Sequence, residues 1–414
     1  MRIMSYILGL FVLLTVLING CNAEDAIPEE TVSEKANSEE IIETAENEEK
    51  IEEKKTEIKA SDKRQKPAEC EGSKISFDYP PVDLERTTYF EPLGLMSGSH
   101  VTPVDHHYFK AMGNAEPVDV YSPASGYVTS IQNMKGPWRD IDSGEMIEND
   151  FRLVIEHTCT ISSIFIHTTT LSPKLAAVAP EPGSYSSVRV PVDAGEVIGT
   201  YYTNIDYNIV DTEFTLTGFI TPEYYVSEAW KTHIPNTYEY FNEPIKSKLK
   251  EISLRTEEPI AGKIDYDVDG RLVGTWIKEN ALDKIREDSR SRELNSISFA
   301  YDYIDPENIV ISMGEYNGEP EQSSIKGNKP DPAEVSVEDG LVKYELVSSG
   351  YFDGDKDWDW SYLAKGIKAK NYENVNGIVL VQMLEDRKIK FEAFPGKTAS
   401  RVTKFTENAE IYVR

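Results

Sequence analysis

From about residue 70 onward, apolar residues come in short runs rich in β-branched and aromatic side chains, and Gly, Pro, Asn and Asp separate the runs. Such runs are typical of strands, because branched and aromatic side chains pack well on a pleated surface. The first half contains no long amphipathic helix and no internal repeat. Its pattern predicts strands at 118–121, 126–131, 151–156, 161–166 and 197–202.

The second half continues the same pattern after a short amphipathic segment at 245–254, which predicts a helix that could bridge two domains. The fold class predicted is therefore all-β, with an antiparallel β domain at 70–235 followed by a second mainly β domain at 236–414. The strands of the second domain are expected at 272–276, 297–301, 309–312, 342–346, 378–382 and 388–392.

The N-terminus differs from both domains. An apolar stretch from Tyr6 to Ile18 follows Arg2, and it is too short for an ordinary membrane span of about 20 residues. Residues 17–21 (LINGC) resemble the lipobox of bacterial lipoproteins, in which the cysteine is diacylated. This resemblance implies a signal peptide at 1–20, a lipid anchor at Cys21 that holds the chain on a membrane, and an extracytoplasmic location. The alternative is an ordinary cleaved signal and secretion.

Residues 21–69 are acidic and lack aromatic side chains, so they cannot bury enough surface to offset the entropy of ordering. They are predicted to form a disordered tether. The whole chain has 43 basic and 72 acidic residues, a formal net charge of −29. This charge argues against a nucleic-acid binder, because phosphate recognition needs clustered Lys and Arg. Hydrophobic residues make up 39% of the chain, enough for packed cores.

Two cysteines remain if Cys21 carries the lipid. In an oxidising extracytoplasmic space, Cys70 and Cys159 are candidates for one disulfide. Two buried free thiols are the alternative that spacing alone leaves open.

Three motifs in the first domain carry a family resemblance. Residues 120–128 (VYSPASGYV), the pair 153–157 (LVIEH) with 164–167 (IFIH), and 192–199 (VDAGEVIG) occur in that order. They resemble the lysostaphin-type zinc endopeptidases, the LytM-like family, over about residues 92–225. The resemblance implies a compact antiparallel β fold and a catalytic zinc.

The same resemblance implies the site residues. The family binds zinc through a His-x-x-x-Asp element and a late His-x-His pair, but here His100 and Asp105 are five residues apart. Asp211 and Glu213 are placed on the late pair, because a turn-like stretch at 204–208 precedes them and a strand at 211–214 would point both side chains to the same side. The implied metal ligands are His100, Asp105 and Glu213, and the implied proton-handling catalytic groups are His167 and Asp211. His106 or His107 could substitute as a ligand, and His157 is expected near the site without binding metal.

These departures lead to two hypotheses. The first is a degenerate peptidase-like domain that binds an envelope peptide or glycan, or regulates such a partner. The alternative is an active metal-dependent endopeptidase, a peptidoglycan or protein hydrolase that uses zinc bound by His, Asp and Glu.

Two acidic clusters raise a weaker hypothesis of calcium binding. One contains Asp265, Asp267 and Asp269, and the other lies at 353–359. The tryptophans Trp358 and Trp360 beside the second cluster could instead form an aromatic sugar platform.

Overall fold

The first core lies beneath a seven-stranded antiparallel sheet. The computed structural model describes residues 75–113, 116–134, 136–139, 146–285 and 288–414, so the predicted signal peptide, Cys21, the predicted tether and Cys70 lie outside the described residues. The strand order is β1-β2-β12-β8-β7-β4-β10. The bounds are Tyr89–Glu91 (β1), His107–Lys110 (β2), Gly126–Met134 (β4), Asp150–Glu156 (β7), Ile161–Thr168 (β8), Ser184–Val192 (β10) and Asn204–Asp211 (β12).

Two smaller sheets accompany the first one. Strand β11 (Val197–Tyr201) lies between β3 (Val118–Tyr121) and β9 (Thr170–Leu171), and β5 (Trp138–Arg139) pairs with β6 (Met146–Ile147). Phe90, Phe109, Phe165 and Tyr207 are fully buried in the core that these strands enclose. Each occupies a strand position whose neighbours face away, as the two-residue period of a strand requires.

The second part of the fold is a closed antiparallel barrel. Eight strands follow one another around it in chain order, and the pairing of β16 with β17 closes the ring, while β18 extends β17. The bounds are Gly274–Lys278 (β13), Ser296–Tyr301 (β14), Ile309–Tyr316 (β15), Glu319–Ile325 (β16), Leu341–Asp353 (β17), Lys356–Asp357 (β18), Lys368–Leu384 (β19), Lys388–Pro395 (β20) and Glu410–Val413 (β21). The closing contact pairs Ser324 with Val347 and Ile325 with Leu346.

Helices are short and connect the sheets. They are α1 (Pro173–Ala176), α2 (Ile245–Ile252), α3 (Leu282–Ile285) and α4 (Ser289–Leu294), with 3₁₀ segments that include Pro222–His233 and Thr237–Tyr240. The helix predicted at 245–254 is confirmed as α2, and its Leu249 is buried in the first core. No described helix has the length and apolar character needed to cross a membrane.

The all-β prediction is confirmed, and a strand overlaps every predicted strand position. One local expectation is wrong: residues 204–208 were expected to form a turn and 211–214 a strand. The structure has the reverse, because β12 spans Asn204–Asp211 and the chain turns after it, with Phe214 N donating to the carbonyl of Asp211. Cys159 is disulfide-bonded; its pairing with Cys70 stays a prediction, since Cys70 lies outside the described residues.

Candidate functional site

The candidate site forms where β12 lies between β2 and β8. The register pairs Asp206 with Tyr108 on one side and with Ile166 on the other. Alternation along β12 sends Ile205, Tyr207 and Ile209 into the apolar core, and Asp206 and Asn208 to the opposite side. The tertiary fold thereby brings Asp206 next to histidines from two separate parts of the chain.

Asp206 stands between two imidazoles. Its Oδ2 atom is 3.3 Å from Nε2 of His106 and 3.5 Å from Nε2 of His167. On their other sides, His106 Nδ1 is 3.1 Å from Asp105 Oδ1, and His167 Nδ1 is 3.1 Å from both oxygens of Asp150. Both imidazoles are therefore bound at each nitrogen within one His–carboxylate network.

The carboxylates set the charge of this network. Burial disfavours a charged imidazole, but Asp206 and Asp150 outweigh it and raise the pKa of His167 to about 9. The pKa of His106 is also raised, because Asp206 and Asp105 outweigh its burial. For Asp105, burial alone would raise the pKa, yet the bond to His106 and the nearby positive charges hold the pKa far below its usual range. At neutral pH His167 is therefore protonated and lies between the carboxylates of Asp206 and Asp150.

The predicted metal ligands do not come together as a zinc site. Both oxygens of Asp105 have partners, since Oδ1 faces His106 and Oδ2 accepts from the indole Nε1 of Trp230 at 2.8 Å. Glu213 is exposed in the turn after β12, where its main-chain N donates to Asp211 Oδ1. Within the described ranges, no three His, Cys, Asp or Glu side chains are grouped so that they could hold a metal ion. The residues implied by the resemblance therefore do not fit zinc.

The sequence-based placement of Asp211 and Glu213 on the family's late pair needs correction, because β12 ends at Asp211. Asp211 ends the strand, and its Oδ2 accepts from Tyr240 OH at 2.5 Å instead of facing the imidazoles. Asp206 and Asn208 occupy the side of β12 that faces the site. In the sequence, Ile205, Tyr207 and Ile209 alternate with polar residues, and this pattern could have identified Asp206 and Asn208 as facing the site.

His100 occupies an exposed loop position beside the network. Its ring centroid lies 6.0 Å from that of His106. The residue as a whole is exposed, yet desolvation of its ring by the surrounding protein, together with the charge of His106, lowers its pKa. Among the predicted residues, the structure thus places His100, Asp105 and His167 around His106, and it separates Glu213 and Asp211 from them.

His107 and His157, which the sequence also suggested for the site, have structural roles. His107 is fully buried, with Nδ1 3.0 Å from the carbonyl of Glu91 and Nε2 2.9 Å from Thr237 Oγ1. His157 Nε2 is 2.9 Å from Ser163 Oγ. Burial lowers their pKa values to about 3 and about 4. Neither histidine belongs to the His–carboxylate network.

The first acidic cluster, at 265–269, does not have a suitable geometry for calcium. Asp265 accepts from Gly218 N and Lys263 Nζ, Asp267 accepts from the main-chain N atoms of Ile220 and Thr275, and Asp269 pairs with Arg387. Each carboxylate is therefore occupied by protein donors.

The two tryptophans expected to form a sugar platform lie in a packed cluster. Trp358 is only 4% exposed, and its ring centroid is 4.3 Å from that of Trp360. Trp358 cannot present a ring face to a sugar in this arrangement.

A cavity of about 740 Å³ opens beside His100. His100, Asp105 and His106 form one wall, and Arg290, Glu293 and Glu319 from the barrel form another. Charged side chains of both signs line it together with apolar atoms, so the cavity offers contacts to the polar groups of a ligand. We call this cavity the cleft.

No protein-family model matches the chain, and no curated protein matches it. Among solved structures, a zinc-containing peptidase from Vibrio cholerae is similar to it with 18% sequence identity and a TM-score of 0.23. The match covers 34% of this chain and 38% of the peptidase chain. Similarity at this low identity and TM-score supports no conclusion about function.

Proposed function

We propose that this protein is a binding or regulatory module of the cell envelope that takes a peptide or glycan in the cleft. The observation that carries the proposal is the position of Asp206. Its carboxylate occupies the space between His106 and His167 and binds both imidazoles, so the groups that could bind a metal bind one another.

The resemblance to lysostaphin-type peptidases supports the envelope as the place of action, and the polar cleft supports a peptide or glycan as the ligand. In this proposal the lipid on Cys21 anchors the protein at an extracytoplasmic membrane face. The acidic tether would then extend the binding module away from the membrane, because like charges along a linker repel one another.

The test combines co-sedimentation of the purified full chain with isolated peptidoglycan and elemental analysis after zinc is supplied and excess removed. We expect peptidoglycan to retain the protein, no stoichiometric zinc, and no release of soluble fragments. His100→Ala should weaken retention about tenfold, equivalent to about 1.4 kcal/mol. His233→Ala is the control, because His233 does not line the cleft and its Nδ1 is bonded to the carbonyl of Phe214.

Two results would contradict the proposal. Stoichiometric zinc with fragment release would establish the alternative, an active metal-dependent endopeptidase. If the protein bound neither peptidoglycan nor zinc, both hypotheses would be contradicted.

A further inference from the structure

A barrel side chain holds the loop that carries His100. Glu293 lies on α4, between barrel strands β13 and β14, and its Oε2 accepts from the main-chain N atoms of Val101 at 2.8 Å and Thr102 at 2.6 Å. Its Oε1 accepts from Thr102 Oγ1 at 2.6 Å. A single carboxylate therefore satisfies three donors directly after His100. Hydrogen bonds to an ionised acceptor are among the stronger ones.

Buried cations support this contact from both sides. Arg292 is 1% exposed and its Nη2 lies 3.1 Å from Glu293 Oε1, while the same guanidinium also binds Glu228. Lys231, itself buried, donates from Nζ to Thr102 Oγ1 at 2.9 Å. The nearby charges of Lys231 and Arg292 outweigh burial and keep the pKa of Glu293 below its ordinary value. Glu293 is thus held as a carboxylate in one fixed position.

The barrel contacts the loop a second time. Gln322 on β16 donates from Nε2 to the carbonyl of Gly98 at 3.1 Å. Two barrel elements therefore bind the chain on either side of His100. Arg290 on α4 and Glu319 at the start of β16 line the cleft from the same side.

From this geometry we infer that the barrel completes the candidate site. Helix α4 forms the far wall of the cleft, and Glu293 is a positioning residue that fixes the His100 loop for ligand binding. This inference rests on the proposed function and deepens it, because a ligand in the cleft contacts both halves of the described chain. The first sheet alone would leave the loop without these restraints and the cleft without one wall.

The first arm of the test measures amide hydrogen exchange of residues 97–105 by mass spectrometry on the purified full chain. We expect Glu293→Ala to accelerate exchange in this loop at least about tenfold, because two amides lose their acceptor. Glu293→Gln keeps one acceptor oxygen and should restore most of the protection. Glu228→Ala is the matched control, since Glu228 binds the same Arg292 but no loop amide.

The second arm measures retention on isolated peptidoglycan. Glu293→Ala should weaken retention about tenfold, and Glu293→Gln should recover most of it. Glu279→Ala is the control for this arm, because Glu279 pairs with Lys388 on the barrel and does not line the cleft.

The exchange and retention measurements test the inference and the proposed function separately. Unchanged loop exchange in Glu293→Ala would overturn the positioning role, whatever the retention result. A loosened loop with unchanged retention would overturn the coupling of the barrel to binding. Failure of the wild type to bind peptidoglycan would overturn the proposed function, and the exchange arm would still decide whether Glu293 positions the loop.

Discussion

The histidines of this protein show how neighbouring groups decide the chemistry of one residue type. His107 is buried and His157 is half-buried, both beside neutral hydroxyl and carbonyl groups that cannot compensate an imidazolium, so their pKa values are low. His106 and His167 are also largely buried, yet carboxylates raise their pKa values. Only the second pair can take part in ion pairing at neutral pH.

The pKa of His167 makes a testable contribution to stability. Because its pKa is about 9 in the folded protein and ordinarily 6.5, the stabilisation is fully present below pH 6.5 and is lost as pH rises through 9. Urea unfolding at pH 6.5 and 9.5 should show a fall in the free energy of unfolding that His167→Gln diminishes. An equal fall in both proteins would contradict the assignment.

A direct measurement can support the same prediction. In NMR titrations, the imidazole of His167 should titrate near pH 9, and Asp150→Asn should lower that value because one ion pair is removed. Asp119→Asn is the matched control, because Asp119 lies on β3 and accepts a hydrogen bond from Tyr121 OH.

At the scale of the element, β12 decides which residues form the site. The apolar and β-branched runs were sufficient to predict most strands, because these residues favour half-buried pleated positions wherever they pair. They were insufficient for β12, whose Asn and Asp residues are typical of turns. The pairing of β12 with β2 and β8 compensates for its low strand propensity. For that reason Glu213, predicted as a metal ligand, and Asp211, predicted as a catalytic group, were misplaced.

One end of the barrel depends on a contact between its first strand and Arg414. The guanidinium of Arg414 lies 4.1 Å from the ring centroid of Trp276, donates to the carbonyls of Val268 and Arg271 at 2.9 Å and 2.6 Å, and is 3.6 Å from Asp267. Trp276 itself is fully buried. This arrangement joins β13 to the residues that follow β21.

We expect Arg414→Ala to destabilise the protein by about 3 to 5 kcal/mol, because it leaves Asp267 buried without its counter-charge. The midpoint of urea unfolding measures the effect. Arg387→Ala removes an exposed arginine whose partner is Asp269, so its midpoint should stay near that of the wild type. Equal shifts in the two variants would show that the barrel end does not depend on Arg414.

At the scale of the whole molecule, all described residues fall in one compact unit. One apolar cluster draws on both halves and includes Tyr89, Leu254, Tyr303 and Trp358. Tyr89 OH also donates to the carbonyl of Trp360 at 3.0 Å, and Tyr303 OH donates to the buried Glu91 at 3.1 Å. The first sheet and the barrel therefore share buried surface.

This shared cluster predicts cooperative unfolding. Calorimetry of the wild type should show one transition for the described part of the chain, and Trp358→Ala should split it, because a large side chain is removed from the shared cluster. Val402→Ala should lower the melting temperature without a split, since Val402 packs in a separate cluster with Ile378 and Leu380. Two resolved transitions in the wild type would refute the coupling.

The sequence by itself determined the all-β class, the approximate positions of most strands and the short helix α2, because these follow from local propensity and from the two-residue period of buried positions. It also pointed to His100, Asp105 and His167. Only the tertiary structure decided that Asp206 joins His106 to His167, and that Glu293 of the barrel binds the His100 loop. These groups lie far apart along the chain, and strand register and barrel packing, which no local pattern encodes, bring them together.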